Sequence, residues 1–177
     1  FALNEHEKAI RILKEIAKSE NRVPRFLSNL AFMYLRLHKY DEAEENFREA
    51  YRMVTENTGA DNSAQVDSIL PGLSKIAFAR GRYEEALYLT ETALKTHENS
   101  AHLYINAGLC EEKLDHYSKS LEYYMKALQL NPYADKEDIM FDRNSFSNSI
   151  YAINNVFIEP YEGLPYHINR CLAHVKK

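Results

Sequence analysis

The feature that most constrains the fold is a period of 34 residues in the middle of the chain. Each copy carries an aromatic residue followed by small residues three and ten positions later. The copies are Tyr40, Ala43 and Ala50, then Tyr83, Ala86 and Ala93, then Tyr117, Ser120 and Ala127. Small residues seven positions apart share one face of a helix and allow a neighbouring helix to approach closely. The pattern therefore predicts a repeat architecture of closely packed helices, in which each unit needs its neighbour to bury its apolar face.

Composition agrees with helices and excludes several classes of protein. The chain has 177 residues, 45% of them hydrophobic, with only 5 Gly and 5 Pro, which suits packed helices better than a turn-dense β-sandwich or barrel. The net charge of −4 argues against binding to nucleic acid or to an anionic membrane surface. No apolar stretch approaches the length of a membrane span, so we expect no membrane insertion.

The chain begins with Phe1 and shows no signal peptide, so we expect a fragment of a longer protein. It contains 2 cysteines and no Asn-x-Ser/Thr glycosylation sequence. Both features favour a reduced compartment, and the predicted location is intracellular, in the cytoplasm or nucleus.

Further positions match between the three copies of the period. The first copy supplies Leu27, Leu30, Ala31, Tyr34 and Phe47; the second supplies Leu70, Leu73, Ser74, Ala77 and Thr90; the third supplies Tyr104, Ala107, Gly108 and Tyr124 and closes with Pro132, where the second has Glu98. This pattern resembles the tetratricopeptide repeat (TPR) family, whose unit is a 34-residue helix-turn-helix. The resemblance covers Asn4 to Pro132 and implies an all-α fold, a right-handed α-solenoid with a C-terminal capping segment. We assign a half repeat to 4–23, full repeats to 24–66, 67–100 and 101–134, and a capping or docking segment to 135–177.

The first repeat is nine residues longer than the family unit. The extra length falls in a turn-rich segment after Asn57, which predicts a long helix ending near Glu56 and another beginning after Asn62 or Ser63. This arrangement is similar to the longer repeats of kinesin light chains. Pro71 would then lie inside a helix and bend it, whereas a helix starting at Ser68 would place Pro71 harmlessly in the first turn.

The register is lost after Pro132. We predict a last helix from Pro165, with Ile168, Leu172 and Val175 on its buried face. Because a repeat array leaves its terminal apolar face uncovered, this region is interpreted as a cap on the third repeat. The alternative is a strand or arm that docks on another subunit.

Candidate sites of chemistry are few. His167, Cys171 and His174 share one helix face and could in principle hold zinc, but a fourth ligand is missing nearby. We expect Cys171 to pack in the core, the histidines to face solvent and no metal to bind. Adjacent carboxylates such as Glu111 and Glu112 suggest acid/base chemistry, yet a solvated helix face explains them better. Without a Gly-rich loop or an activated nucleophile, we predict no catalytic residues, no cofactor and no enzymatic activity.

In the TPR family the first helix of each repeat lines a concave groove. The resemblance therefore implies that the candidate partner-binding residues are Arg25, Asn29, Phe32, Arg36, Lys75, Phe78, His102, Asn106, Leu109 and Lys113. Family members use Asn at the place of Asn29 and Asn106 to bond an extended peptide backbone, and Gly72 stands at this place in the second repeat. The groove is mainly cationic, which suits a partly acidic peptide. Ser28 and Phe32 replace the Lys and Asn of chaperone-binding members, so binding to the chaperone tail motif is not expected.

Three functions fit these observations. The first is a non-enzymatic protein-protein interaction module that scaffolds a larger intracellular complex through its TPR surface. The second is a groove receptor for a short extended peptide. The third is a regulatory TPR segment of a larger enzyme. The expected partner is another protein or an extended peptide segment, without direct binding to nucleic acid.

Overall fold

The structure is a computed structural model that describes residues 2–18, 23–56, 63–132 and 163–176. Within these ranges every regular element is a helix. The helices are α1 (Ala2–Lys18), α2 (Pro24–Arg36), α3 (Tyr40–Glu56), α4 (Ser63–Ala79), α5 (Tyr83–Leu94), α6 (Ala101–Lys113), α7 (Tyr117–Leu130) and α8 (Leu164–Val175). The predicted all-α fold is confirmed. The polar and apolar stretches between Pro132 and the last helix lie outside the described residues.

The same turn joins α2 to α3, α4 to α5, and α6 to α7. Its central residue has a left-handed backbone, with φ of 55° at His38, 73° at Gly81 and 61° at Asp115. In each turn the next backbone N–H donates to the carbonyl five residues earlier, over 2.9 Å. This bond is part of the Schellman arrangement that ends a helix. Gly81 therefore lies just after the end of α4, and the three repeats share the backbone conformation of this turn as well as their sequence pattern.

The first repeat is lengthened on both sides of the segment 57–62. Helices α3 and α4 each have 17 residues, whereas α2, α5, α6 and α7 have 12 to 14. Helix α4 begins at Ser63 and contains Pro71, so the alternative start at Ser68 is wrong. Pro71 has no N–H to donate to the preceding turn, and its apolar neighbours compensate by packing: Ile69, Leu70 and Leu73 are all buried. The likeness to kinesin light chains stays a prediction.

The chain divides into two compact units, 1–76 and 77–177. In the first unit the ring of Phe47 is fully buried and meets Phe32 edge-on, with centroids 4.9 Å apart. The backbone of Gly72 passes so close that an added β-carbon would lie 2.4 Å from Cζ of Phe47. Gly72 is therefore a packing residue, which explains why it interrupts the asparagine series of the predicted groove.

In the second compact unit α6 packs against α5 and α7, and α7 packs against α8. The ring of Tyr124 is fully buried, and an added β-carbon at Gly108 would lie 2.4 Å from its Cε1. Leu164 and Cys171 bring α8 into the same core. Helix α8 thus packs against the third repeat, and the division into a repeat array and a capping or docking segment stays a prediction.

The buried face of α8 differs from the predicted one. Leu164, His167 and Cys171 are buried, whereas Val175 is 46% exposed. Ile168 packs beside the core. The prediction counted His167 as a surface residue because it is polar, but a buried carboxylate on α6 compensates for its burial. The face of α8 that contacts the core therefore differs from the face that its apolar residues alone would define.

Candidate partner-binding surfaces

Helix α2 carries four of the candidate partner-binding residues on the face opposite its core residues. Arg25, Asn29 and Arg36 are exposed, and Phe32 between them is half-buried against Phe47. At 3.6 residues per turn these four lie about 180° from the buried stripe of α2. The helix contains no acidic residue. The first compact unit thus presents a polar, cationic surface, and Lys75 on α4 is half-buried in the same unit.

In the second compact unit three candidates are buried. Phe78 and Leu109 belong to the core, and Phe78 packs edge-on against Tyr83 with centroids 5.2 Å apart. Asn106 is 1% exposed. His102 is half-buried, and this burial lowers its pKa and favours the neutral imidazole. Lys113 is exposed.

A partner could therefore reach Lys113 and the visible edge of His102 directly. Phe78, Asn106 and Leu109 would become accessible only after a local rearrangement. The assignment of all ten residues as contacts stays a prediction.

Glu112 is the centre of a buried polar network in the second unit. Its carboxylate is 3% exposed and accepts a hydrogen bond from the Tyr124 hydroxyl at 2.8 Å. Nδ1 of His167 lies 2.9 Å from the same oxygen and carries the proton, because a carboxylate can only accept. Arg170 reaches the other oxygen at 3.1 Å. Glu112 thus joins α6 to both α7 and α8.

The environment of Glu112 favours its charged form. Burial alone would raise the pKa of this carboxyl, but hydrogen bonds from His167 and Tyr124, with the charges of His167 and Arg170, outweigh burial and lower it from 4.5. The expectation of a solvated helix face is therefore wrong for Glu112. Two partners on α8 supply the compensation that burying a carboxylate requires.

Glu111 is also buried, at 3% exposure. Its carboxylate lies 2.7 Å from Nδ1 of His116 and 3.8 Å from Nζ of Lys119. The solvated-face expectation is wrong here too, and the repeat register contained the missing signal. Glu111 stands where the other two turns have Tyr34 and Ala77, both buried.

The three residues considered for zinc have separate partners. His167 binds Glu112, Sγ of Cys171 lies 3.4 Å from Oγ of Ser120, and the ring of His174 stacks on Tyr117 with centroids 4.1 Å apart. The predicted packing of Cys171 is confirmed, whereas the predicted exposure of His167 is wrong. The described residues include no group of three His, Cys, Asp or Glu side chains able to hold a metal ion.

A cleft of about 920 Å³ lies in the first compact unit between α1, α2 and α3. Leu27, Leu30 and Tyr34 of α2 form its floor. Lys14 of α1 contributes to one wall, and the α3 wall comprises Glu42, Glu45, Asn46, Arg48, Glu49 and Arg52. The sequence indicated that α3 is acidic, but it did not reveal a cleft. Spacings of three and four residues between Glu42, Glu45 and Glu49 were the available signal, since they align these carboxylates on one helix face.

Charge pairs organise the α3 wall. Arg48 binds Glu44 at 2.7 Å, and Arg52 bridges Glu49 at 2.8 Å and Glu56 at 2.7 Å. On the opposite wall, Nζ of Lys14 lies 5.5 Å from the ring centroid of Tyr34. A hydrogen bond with Tyr34 is the main cause that raises the pKa of Lys14.

None of the helices in the described ranges combines the length and apolar character that a membrane span requires. The sequence profiles described as "Tetratricopeptide repeat" match residues 22–98 and 101–133, which together make up more than half of the chain. Both matches fall within the predicted repeat array, 4–134.

Curated relatives carry the same repeats. The chain is 30% identical over 112 residues to tetratricopeptide repeat protein 16 of Macaca fascicularis, covering 62% of this chain and 13% of that protein. It is 32% identical over 103 residues to the Homo sapiens protein of that name, covering 56% of this chain and 12% of that protein. The chain thus spans a small part of these relatives.

Solved structures share the fold. A structure titled "MamA 41-end from Desulfovibrio magneticus RS-1" superposes with a TM-score of 0.65 at 19% identity, covering 97% of this chain and 86% of that one. A second, titled "Crystal structure of MamA", gives 0.65 at 16% identity, covering 99% and 91%. At such identities the likeness concerns the fold alone, an α-solenoid of helical hairpins. Taken with the two profile matches, the repeated helix pairs and their shared turn show that this chain belongs to the tetratricopeptide repeat family.

Proposed function

We propose that this chain is a non-enzymatic interaction module that scaffolds a larger complex, with partner contacts spread over several surfaces. TPR arrays bind other proteins through their extended surfaces, and this general role comes with the family. Scaffolding is the more specific step, and it requires more than one independent contact surface.

The observation that carries the proposal is the burial of Glu112. The TPR resemblance places this residue, like Leu109 and Lys113, on the groove side of the first helix of the third repeat, where a bound peptide would need a free side chain. Here its carboxylate is already engaged by Tyr124, His167 and Arg170. Asn106, at another groove position of the same helix, is buried as well. A single extended peptide that uses all three repeats is therefore the less favoured arrangement.

The remaining accessible candidates lie on different helices. The cationic face of α2 belongs to the first compact unit, and Lys113 at the end of α6 belongs to the second. Their charges can select acidic patches on partners, because charge complementarity raises association rates and excludes like-charged surfaces. This supports separate contacts with separate partner surfaces.

Partner capture with surface variants tests the proposal. The parent chain, the double variant Arg25→Glu with Arg36→Glu, and the single variant Lys113→Glu are immobilised and exposed to the same cell extract. Helicity of each variant is checked by circular dichroism, and the captured proteins are quantified by mass spectrometry. A scaffold predicts that the α2 variant and the α6 variant lose different proteins.

Two results would contradict the scaffold. If both variants lose the same single protein, one ligand spans both helices and the peptide receptor is the better description. If the parent captures nothing above an empty support, the interaction function itself is refuted. A regulatory segment of a larger enzyme is the third hypothesis, and the sequence on either side of the chain tests it directly.

A further inference from the structure

We propose that α8 is a displaceable cover, and that the surface beneath it on α6 and α7 binds a helix of a partner protein that offers Glu112 a hydrogen-bond donor and a positive charge. This inference rests on the proposed interaction function and names one of the surfaces through which that function acts. It concerns the second compact unit alone. Helix α8 then occupies the site whenever the partner is absent.

The surface beneath α8 already binds a helix. The backbone of α8 packs against α7, and Leu164 at its first turn is fully buried in the core. Cys171, seven residues later, places Sγ 3.4 Å from Oγ of Ser120. At the far end the ring of His174 stacks on Tyr117, with centroids 4.1 Å apart. These contacts follow one face of a helix over about three turns, as the anchors of a helix bound in a groove do.

Charge complementarity defines which helix the surface accepts. Glu112 is 3% exposed, and α8 brings Nδ1 of His167 to 2.9 Å and the Arg170 guanidinium to 3.1 Å from its two oxygens. These two residues follow Leu164 by three and six positions, and α8 contains no acidic residue. A partner helix must carry a donor and a cation at the same two positions, because a carboxylate covered by a helix without them would lose its compensation.

Helix α8 is a weak occupant of this site. It has 12 residues, a length at which an isolated helix is marginal in water. Gly163 precedes it and provides no side chain to cap its first N–H groups. Its buried residues are Leu164, His167 and Cys171, of which one is a large apolar side chain. Local opening of a helix that buries so little apolar surface costs less than unfolding of the whole unit.

Opening of α8 does not strand a buried charge. His167 and Arg170 leave together with the helix, the bond from the Tyr124 hydroxyl to Glu112 at 2.8 Å remains, and water takes the two vacated positions. A buried ion pair contributes little net stability over its solvated partners, so these contacts specify which helix binds more than how tightly it binds. A longer helix with a capped N-terminus and the same face would therefore displace α8.

The same comparison assigns the occupant to a partner protein. A second copy of the chain offers an identical α8, which gains nothing over the helix that each chain already holds beside the site. A partner helix with a better cap or more apolar contact does gain over it.

A synthetic peptide with the sequence of residues 163–176 serves as the probe, because it carries the required face. A companion peptide carries His167→Ala and Arg170→Glu, which remove the donor and reverse the charge. Both peptides are labelled with fluorescein and titrated with the whole 177-residue chain, and binding is followed by fluorescence anisotropy.

Three variants of the chain define the site. Leu164→Asp places a charge in the core, so it should release α8 and open the site. Glu112→Ala, added to Leu164→Asp, removes the carboxylate. Glu122→Ala, added in the same way, removes an exposed carboxylate of α7 and is the matched control.

The peptide should bind Leu164→Asp at least about tenfold more tightly than the parent, whose site is covered by α8. Glu112→Ala should cancel this gain, and the companion peptide should bind at least about tenfold more weakly, while the control stays within about twofold. Hydrogen exchange of the parent needs no variant, and amides of α8 should exchange at least about tenfold faster than those of α6.

The inference is overturned if a folded Leu164→Asp binds the peptide no better than the parent, if the companion peptide binds equally well, or if Glu112→Ala leaves the affinity unchanged. If circular dichroism shows that Leu164→Asp unfolds, hydrogen exchange decides, and equal protection of α8 and α6 overturns it. A parent that is a dimer by light scattering and a monomer as Leu164→Asp would assign the site to a second copy, against the proposal. Partner capture that persists while the peptide fails to bind would leave the scaffold proposal intact.

Discussion

Replacing Gly108 by alanine tests whether the close contact between α6 and α7 holds the third repeat together. An added β-carbon would lie 2.4 Å from Cε1, 2.6 Å from Cδ1 and 3.0 Å from Cζ of Tyr124, about 1 Å inside ordinary contact at 3.4 Å. The ring cannot simply move away, because it is fully buried and its hydroxyl is bound to Glu112. The two helices must therefore separate or the Glu112 network must shift.

The size of the effect follows from two opposing contributions. Overpacking a well-filled core costs about 1–3 kcal/mol, and a contact this short against a ring that cannot move belongs in the upper part of that range, at about 2–3 kcal/mol. Alanine gains back up to about 1 kcal/mol over glycine inside a helix. The free energy of unfolding should therefore fall by about 1–2 kcal/mol. For a chain of this length that corresponds to a melting temperature about 2–8 °C lower.

Urea unfolding followed by circular dichroism measures the change. Tyr124→Leu removes the ring, so the double variant should lose less stability than the two single variants combined. Gly72→Ala repeats the clash against Phe47, whose ring has no hydroxyl to hold it, and should cost less than Gly108→Ala. An unchanged or raised stability in Gly108→Ala would refute the reasoning, since helix propensity would then outweigh the contact.

Three further predictions follow from the turns, the buried carboxylate and the thiols. Gly81→Ala should cost about 1 kcal/mol in urea unfolding because φ is 73° there, and Gly81→Asn should cost less; equal costs would exclude backbone strain as the cause. Glu112→Gln should lower the unfolding free energy at neutral pH by about 1–3 kcal/mol. The folded pKa of Glu112 lies below its unfolded 4.5, so its contribution is present above pH 4.5 and is lost as pH falls through the folded pKa. The difference between wild type and Glu112→Gln should vanish in acid, and a constant difference from neutral pH to about pH 3 would contradict this account. Burial raises the pKa of both Cys110 and Cys171, so a thiol reagent should label neither quickly in the folded chain. Cys171 on the last helix should react before Cys110 as that helix opens; equal rates would mean that α8 does not open separately.

The repeat register predicted the helices because its small residues mark the places where neighbouring helices pack closely. Such positions can be identified from the local sequence alone. Helices α3, α5 and α7 begin at Tyr40, Tyr83 and Tyr117, the aromatic residues that open the three copies of the pattern. The nine-residue excess was likewise correctly assigned to longer helices around a turn-rich segment. These features depend on spacing along one chain segment, so a single sequence is sufficient to predict them.

The features that escaped prediction depend on residues far apart in the sequence. Glu112 and His167 are separated by 55 positions, and each is polar when considered alone. Only their pairing makes both suitable for the interior, and this pairing also set the rotation of α8. For Asn106 the repeat register predicted the face of α6 on which it lies, but not the neighbouring residues that bury it. The cleft was not predicted because its volume depends on the separation of α1 and α3. Residue spacing in the sequence does not give that separation.

The contact between Phe47 and Gly72 limits how this array could have grown. Phe47 closes the first repeat, and the helix that follows must present no side chain where the ring lies. A tandem duplication of residues 24–66 would place a second copy of Asn29 at this position, over the same ring. In the duplicated chain the side chain of this second asparagine would clash with the Phe47 ring until a mutation replaced it by glycine. The first and second repeats are therefore matched to each other at this contact, and the shape of one aromatic ring limits which helix can follow the first repeat.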